Sequence, residues 1–319
     1  EVNLMFKFQL DYYRNGQGLH IKTILLTILS SIIMVLLMLI PGIAFIIGGF
    51  SLAASQDFSG EPSGGGIATF LISMVIGFIL FILMYIFILI PIAYGILKFY
   101  KDTDLGISPR FSDLFMFLKK GNYVKTLKLT LIIGLISVAM YFIVYIVVII
   151  VEVIFFAIFG TSMALMQPSS ASEGIGAMSI SFIVIMLFMI LVLFALFIPL
   201  YYFVIFIVNT VLVHIDQRSL PTITKFSIGW NITSKGPHSA WKLLFSNLIY
   251  IVAAYIIIAI IGVIAAVIIS LMPSVIQILF AIIGYILFYL FMFAVFYFLY
   301  GSLMNFYHKN KNALYPKNN

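Results

Sequence analysis

The chain has 319 residues, 64% of them hydrophobic and only 8% charged, with no cysteine and a formal net charge of +7. Soluble domains carry roughly 25% charged residues, so this much apolar side chain excludes a fold surrounded by water. The missing cysteines exclude disulfides, thiolate nucleophiles and cysteine metal sites.

The first twenty residues are polar and aromatic. A long apolar run follows at about 23–54, longer than the roughly 7–15 residues of a signal-peptide core. Five more runs follow at about 67–97, 129–165, 178–213, 243–271 and 275–304. Each meets the length of about 20 residues needed to cross a bilayer. Backbone groups in hydrocarbon must bond within their own segment, so the runs are expected to be helices. The fold class is therefore all-α, a polytopic helical membrane protein with six spans, read as one membrane domain over residues 1–319.

Basic residues set the expected direction. Lys7, Arg14 and Lys22 precede span 1, and seven bases from Lys98 to Lys128 separate spans 2 and 3. Arg218, Lys225, Lys235 and Lys242 separate spans 4 and 5, and Lys309, Lys311 and Lys317 follow span 6. These are all 17 of the Lys and Arg residues. The other connections hold Asp57, Glu61 and Glu173 and no base, so the positive-inside rule puts both termini in the cytoplasm. Trp230 and Trp241 are expected as interfacial anchors on that side. Connections 55–66 and 167–177, rich in Gly and Ser, are expected to be flexible.

The basic segments resemble one another. Each has an aromatic-apolar stretch, then a glycine (Gly16, Gly121, Gly236), a lysine (Lys22, Lys128, Lys242) and a span. Tyr94–Lys101 reads YGILKFYK and Tyr300–His308 reads YGSLMNFYH. The pattern predicts three repeats over 1–100, 101–217 and 218–319, each an interfacial amphipathic helix followed by two spans. In the second, Ser108 and Pro109 suit a helix start. Phe111, Leu114, Phe115 and Leu118 make one apolar face, expected to lie in lipid. Lys119 and Lys120 suit the last turn and Gly121 a left-handed end.

The segments PIAYG at 91–95, FSDLFMFLKKGN at 111–122 and KFSIGWNITSKG with WKL at 225–243 resemble two groups of proteins. One is an uncharacterised class of six-helix integral membrane proteins of low-GC Gram-positive bacteria. The other is the membrane domain that precedes some glycerophosphodiester phosphodiesterase domains. The resemblance implies a bacterial cytoplasmic membrane protein and no activity. Abundant Lys, Ile, Phe and Asn agree with an AT-rich bacterial genome.

Candidate functional residues are few. Glu152 is the one acid inside a span, and intramembrane carboxylates suggest proton or cation sites. It lies about 36 Å along a helix from Lys128, near the outer interface. Tyr285 and Tyr289 share a face of span 6 with Tyr297, and Tyr201 and Tyr202 follow Pro199; such hydroxyls suit a polar cavity or interhelical bonding. Pro41, Pro91 and Pro199 suggest broken helices of the transporter kind. Gly262 and Ala266 suggest a close helix contact. Lys119, Lys120, Lys125, Lys128, Lys235 and Lys242 are candidate contacts for anionic lipid. The four histidines, all on the basic side, lack metal-ligand spacing, and no nucleophile or phosphate-loop motif occurs. Neither a cofactor nor a nucleic-acid partner is expected.

Spans 3 and 4 are each about 36 residues, roughly 54 Å as helix, beyond ordinary mismatch. Either span 4 breaks at Pro199, or this hairpin projects from the membrane. The favoured reading is a non-enzymatic membrane scaffold or accessory protein. It binds lipids, a membrane partner or further copies of itself through the interfacial helices and the long hairpin. Alternatives are a transporter or channel subunit, and a protective protein against membrane-active peptides. An intramembrane enzyme would need Asp102, Asp104, Asp113, His214, Asp216 and His238 to cluster.

Overall fold

A computed structural model describes residues 5–56, 60–165 and 171–316, with side chains throughout these except 158–182 and 185. Among the described residues the fold is helical, with one isolated bridge between Gln56 and Pro62. A short helix α1 (Lys7–Asn15) leads into α2 (His20–Ala54) and α3 (Gly64–Met84). A π-helical turn (Tyr85–Leu89) joins α3 to α4 (Ile90–Asp104). A 3-10 segment (Phe111–Leu118) precedes α5 (Tyr123–Leu165) and α6 (Ala171–Asp216). The chain continues through α7 (Thr222–Ser234), α8 (Ala240–Ser270) and α9 (Ser274–Leu314). Six of the helices are long and apolar enough to cross a membrane, as the composition requires of an all-α polytopic protein.

Contacts divide the chain into two units. The first joins Glu1–Thr130 to Phe206–Asn319; the second is Leu131–Ile205. In the first unit α2 and α3 form a tight hairpin. Phe45 covers Gly77 and Ser73 meets Gly48, contacts that only a missing side chain permits. The connection expected to be flexible through Gly66 ends earlier. Ser63 caps α3 by accepting the Gly66 N–H, and its own N–H reaches the Ser55 carbonyl at 2.9 Å. The second unit carries the long helical runs on either side of residues 166–170, which lie outside the described residues, as does the tip of the expected hairpin.

The prolines behave differently from the broken helices expected. Pro41 and Pro199 sit inside continuous helices. Span 4 therefore does not break at Pro199; α5 and α6 have 43 and 46 residues. Pro91 follows the π turn and, lacking an N–H, leaves the Phe87 carbonyl four residues back without its helical partner. The Tyr123 hydroxyl donates to that carbonyl at 3.1 Å. Gly262 was expected at a close helix contact, yet among the described residues nothing lies within 4 Å of where its side chain would be. Small-residue spacing permits close approach without enforcing it.

Candidate functional site at the lysine-rich ends of the helices

The first unit buries its polar side chains at the ends of the helices that carry the bases. The short segments build this end by docking on the spans. Adding a side chain to Gly301 on α9 would strike the Tyr12 ring of α1, and one on Gly95 of α4 would strike the Leu114 backbone of the 3-10 segment. The third seat reverses the roles: Gly229 on α7 faces Thr210 on α6. Two of these seats are the glycines of the two YG pairs.

The 3-10 segment corrects three expectations: where it starts, where it ends and what its apolar face meets. It begins at Phe111, with Arg110 rather than Ser108 in the capping position, and ends at Leu118. Lys119 and Lys120 fall beyond it. Gly121 is left-handed at φ +91° but lies past the end. The apolar face of the segment is turned largely inward rather than to lipid: Leu114 is fully buried, Phe115 and Leu118 are partly buried, and Phe111 stays exposed. Leu114 packs with Ile92 and Phe99, flanked by Leu26, Ile33 and Leu37. An apolar face of about two turns is better covered by a span offering a glycine slot than by lipid.

Polar networks fasten the docked segments. The Tyr12 hydroxyl lies 3.2 Å from the Tyr297 hydroxyl, which lies 2.8 Å from His20 Nδ1. His20 Nε2 meets the Tyr13 carbonyl at 2.8 Å and so must carry the proton, leaving Nδ1 to accept from Tyr297. Burial pushes the Tyr12 hydroxyl pKa well above its ordinary value, so it stays a donor. Gln9 donates to the Asn247 side-chain oxygen at 2.6 Å, as does Ser302 at 2.9 Å. The Asn310 amide donates to the Ile232 and His238 carbonyls and accepts the His238 N–H.

Five acids lie here, each beside a base. Asp11 pairs with Lys309, Asp102 and Asp113 with Lys98, and Asp104 with His308. Asp216 pairs with Lys101 and Lys311 and accepts from the Tyr307 hydroxyl at 2.7 Å. Asp104 also accepts from Asn15 and Asn305, each at 3.1 Å. Buried His308 Nε2 and Asn305 Oδ1 have no protein partner among the described residues. Among the described residues no three of His, Asp and Glu converge to hold a metal.

Lys225 is the exception among the buried bases. It is 1% exposed, and among the described residues no carboxylate pairs with it. Its ammonium donates to His214 Nδ1 at 2.9 Å and to the Arg218 carbonyl at 3.2 Å. The Thr126 hydroxyl donates to the Asn122 carbonyl, so at 3.0 Å it accepts from His214 Nε2–H. That fixes the neutral tautomer of His214. The sequence placed His214 and Lys225 on one side, but only helix packing brings them together.

The residues singled out from sequence separate. Tyr297 enters the networks. Tyr285 and Tyr289 bond each other at 2.8 Å with both side chains exposed. In the second unit Tyr201 stacks on Phe197, Tyr201 and Tyr202 are half-buried, and Glu152 is exposed. Lys119, Lys120, Lys125, Lys128, Lys235 and Lys242 are all exposed. Of the six inner-side acids and histidines, Asp102 and Asp113 share Lys98, while Asp104, Asp216, His214 and His238 each join a different network.

No protein family, curated protein or solved structure matches the chain.

Proposed function

We propose that the protein is a non-enzymatic membrane scaffold whose lysine-rich end faces the cytoplasm and holds anionic lipid. The sorting of its bases supports this reading. Lys98, Lys101, Lys309 and Lys311 neutralise acids within the fold. Lys119, Lys120, Lys125, Lys128, Lys235 and Lys242 are exposed and belong to no ion pair among the described residues. Juxtamembrane lysines contribute about 1 kcal/mol each toward an anionic leaflet. Exposed Trp230 and Trp241 suit the same interface.

On this reading the chain sits in a bacterial cytoplasmic membrane with both termini inside. Three repeats of short segment and two spans build it, and the docked segments give the lysine collar a rigid base. The test is native mass spectrometry from nanodiscs of equal phosphatidylcholine and phosphatidylglycerol. The wild type should release with several phosphatidylglycerols, and a variant with five of the lysines changed to Gln (all but Lys125) should lose most of them. Wild-type release with no preference for either lipid would sink the proposal.

A further inference from the structure

We infer that Lys225, Arg218 and Lys125 form a specific site for a phosphate-bearing anion, backed by His214, within the collar proposed above. The inference rests on that reading for the orientation of the lysine-rich end and for the supply of anionic lipid. The site itself stands on separate observations.

The first is uncompensated charge. A buried charge is ordinarily paired, since leaving it alone costs several kcal/mol. The five acids of this end already serve Lys98, Lys101, His308, Lys309 and Lys311. None remains for Lys225, although it is among the largest fully buried side chains. An ammonium has three donors and no acceptor; two of them meet His214 Nδ1 and the Arg218 carbonyl. The third has no protein partner among the described residues.

The second observation is convergence. Arg218 stands over the Phe117 ring, 5.7 Å from its centre, and donates one Nη2 bond to Met116 Sδ at 3.0 Å. Sulfur is a weak acceptor, so the rest of the guanidinium fork remains available for an oxyanion. Lys125, exposed near the start of α5, directly precedes Thr126, whose hydroxyl lies 3.0 Å from His214 Nε2. Burial first, and then Lys125, hold the Lys225 ammonium below its usual pKa. A bound anion would oppose both by favouring the charged ammonium.

The third observation concerns the partner chosen for Lys225. His214, held as the neutral tautomer by Thr126, accepts from Lys225 without bringing negative charge. The imidazole orients the ammonium and leaves its charge for a ligand. A carboxylate there would have closed the site. Position matters as well: Lys225 lies in the first turns of α7, where the helix dipole favours an anion. Three cations of which one is buried, one planar and one exposed suit a phosphate group, either free or on a phospholipid head.

The test uses the full chain in phosphatidylcholine nanodiscs and reads thermal unfolding. One arm titrates sodium phosphate against sodium chloride at matched ionic strength. The other replaces a tenth of the lipid with phosphatidylglycerol or phosphatidic acid. The wild type should be stabilised in at least one arm. Arg218→Gln should raise the half-saturating concentration about tenfold or more, as expected for a lost charged hydrogen bond. Lys125→Gln, at an exposed position that tolerates change, should raise it by a smaller factor and covers the case in which Arg218→Gln does not fold. Stabilisation in the phosphate arm identifies a free-phosphate site, and stabilisation in the lipid arm alone identifies a headgroup site. No stabilisation in either arm, or variants that respond like the wild type, overturns the inference. The five-lysine collar variant separates the two proposals: it should lose bulk phosphatidylglycerol yet keep this saturable response.

Discussion

Helix α9 contains two different kinds of surface. From Ser274 to Leu290 nearly every side chain is exposed, including Tyr285 and Tyr289. From Gly301 to His308 every residue is buried, among them Ser302, Asn305 and His308. One half is made for hydrocarbon and needs no partner; the other carries polar groups that only protein can satisfy. The apolar half is held by its solvent, which tolerates substitution. The polar half is held by specific bonds, which does not, because a polar group buried without a partner is costly.

The comparison is sharpest where a charge is removed. Asp216 neutralises two lysines and accepts from Tyr307. Asp216→Ala should cost about 3–5 kcal/mol by stranding Lys101 and Lys311, read as loss of a cooperative melt. Glu152→Ala, at an exposed site on α5, should leave the melt unchanged. A similar loss in both would refute the distinction.

Glycines give the next test. Gly95→Ala meets backbone atoms of Leu114 at 2.4–2.8 Å, contacts that cannot rotate away, and should cost about 1–3 kcal/mol. Gly262→Ala meets nothing and should be neutral or stabilising by up to about 1 kcal/mol. Paired melting curves of the two variants decide the matter.

A smaller effect is expected at the π turn. Tyr123→Phe should cost about 1 kcal/mol by exposing the Phe87 carbonyl. In a Pro91→Ala background the helix regains a backbone N–H for that carbonyl, so the same change should cost less. A double-mutant cycle with no coupling would remove the role given to Tyr123.

The smallest effect is pH-dependent. Burial first, and then Lys309, Lys7 and Lys242, hold His238 below its ordinary pKa of 6.5, against the opposite pull of Asp11. The unfolded chain therefore binds the proton first as pH falls. Stability should be unaffected by His238 above 6.5 and decline as pH drops below it, levelling off beneath the folded pKa. His238→Gln should flatten that part of the stability profile.

The spans were legible because lipid imposes a length and a composition. Six apolar runs are enough to place the six long helices without any knowledge of packing. The short segments were legible as segments but not in their seating. The face of Leu114 reads the same whether it meets lipid or a span, and only the glycine at 95 on a distant stretch selects the span. The YG pairs carry that information, since their glycines are the sockets, but in sequence a socket and a repeat look alike. Pairing at the lysine-rich end was not legible at all. Gln9 meets Asn247 across 238 residues and His308 meets Asp104 across 204, and no local pattern encodes such separations. Lys225 looked like one topology signal among many, and its isolation from acids is visible only once the others are matched.

The docking of α1 has a consequence for synthesis. Tyr12 meets Tyr297 across 285 residues and seats against Gly301. α1 is therefore made before its socket, which exists only once α9 has been made. Until then the Tyr12 ring has no glycine to seat on, and the contact forms only after the intervening helices have been made. Protection of the α1 backbone amides from hydrogen exchange would then report the docking: absent in chains that stop before α9, and present once Gly301 is in place.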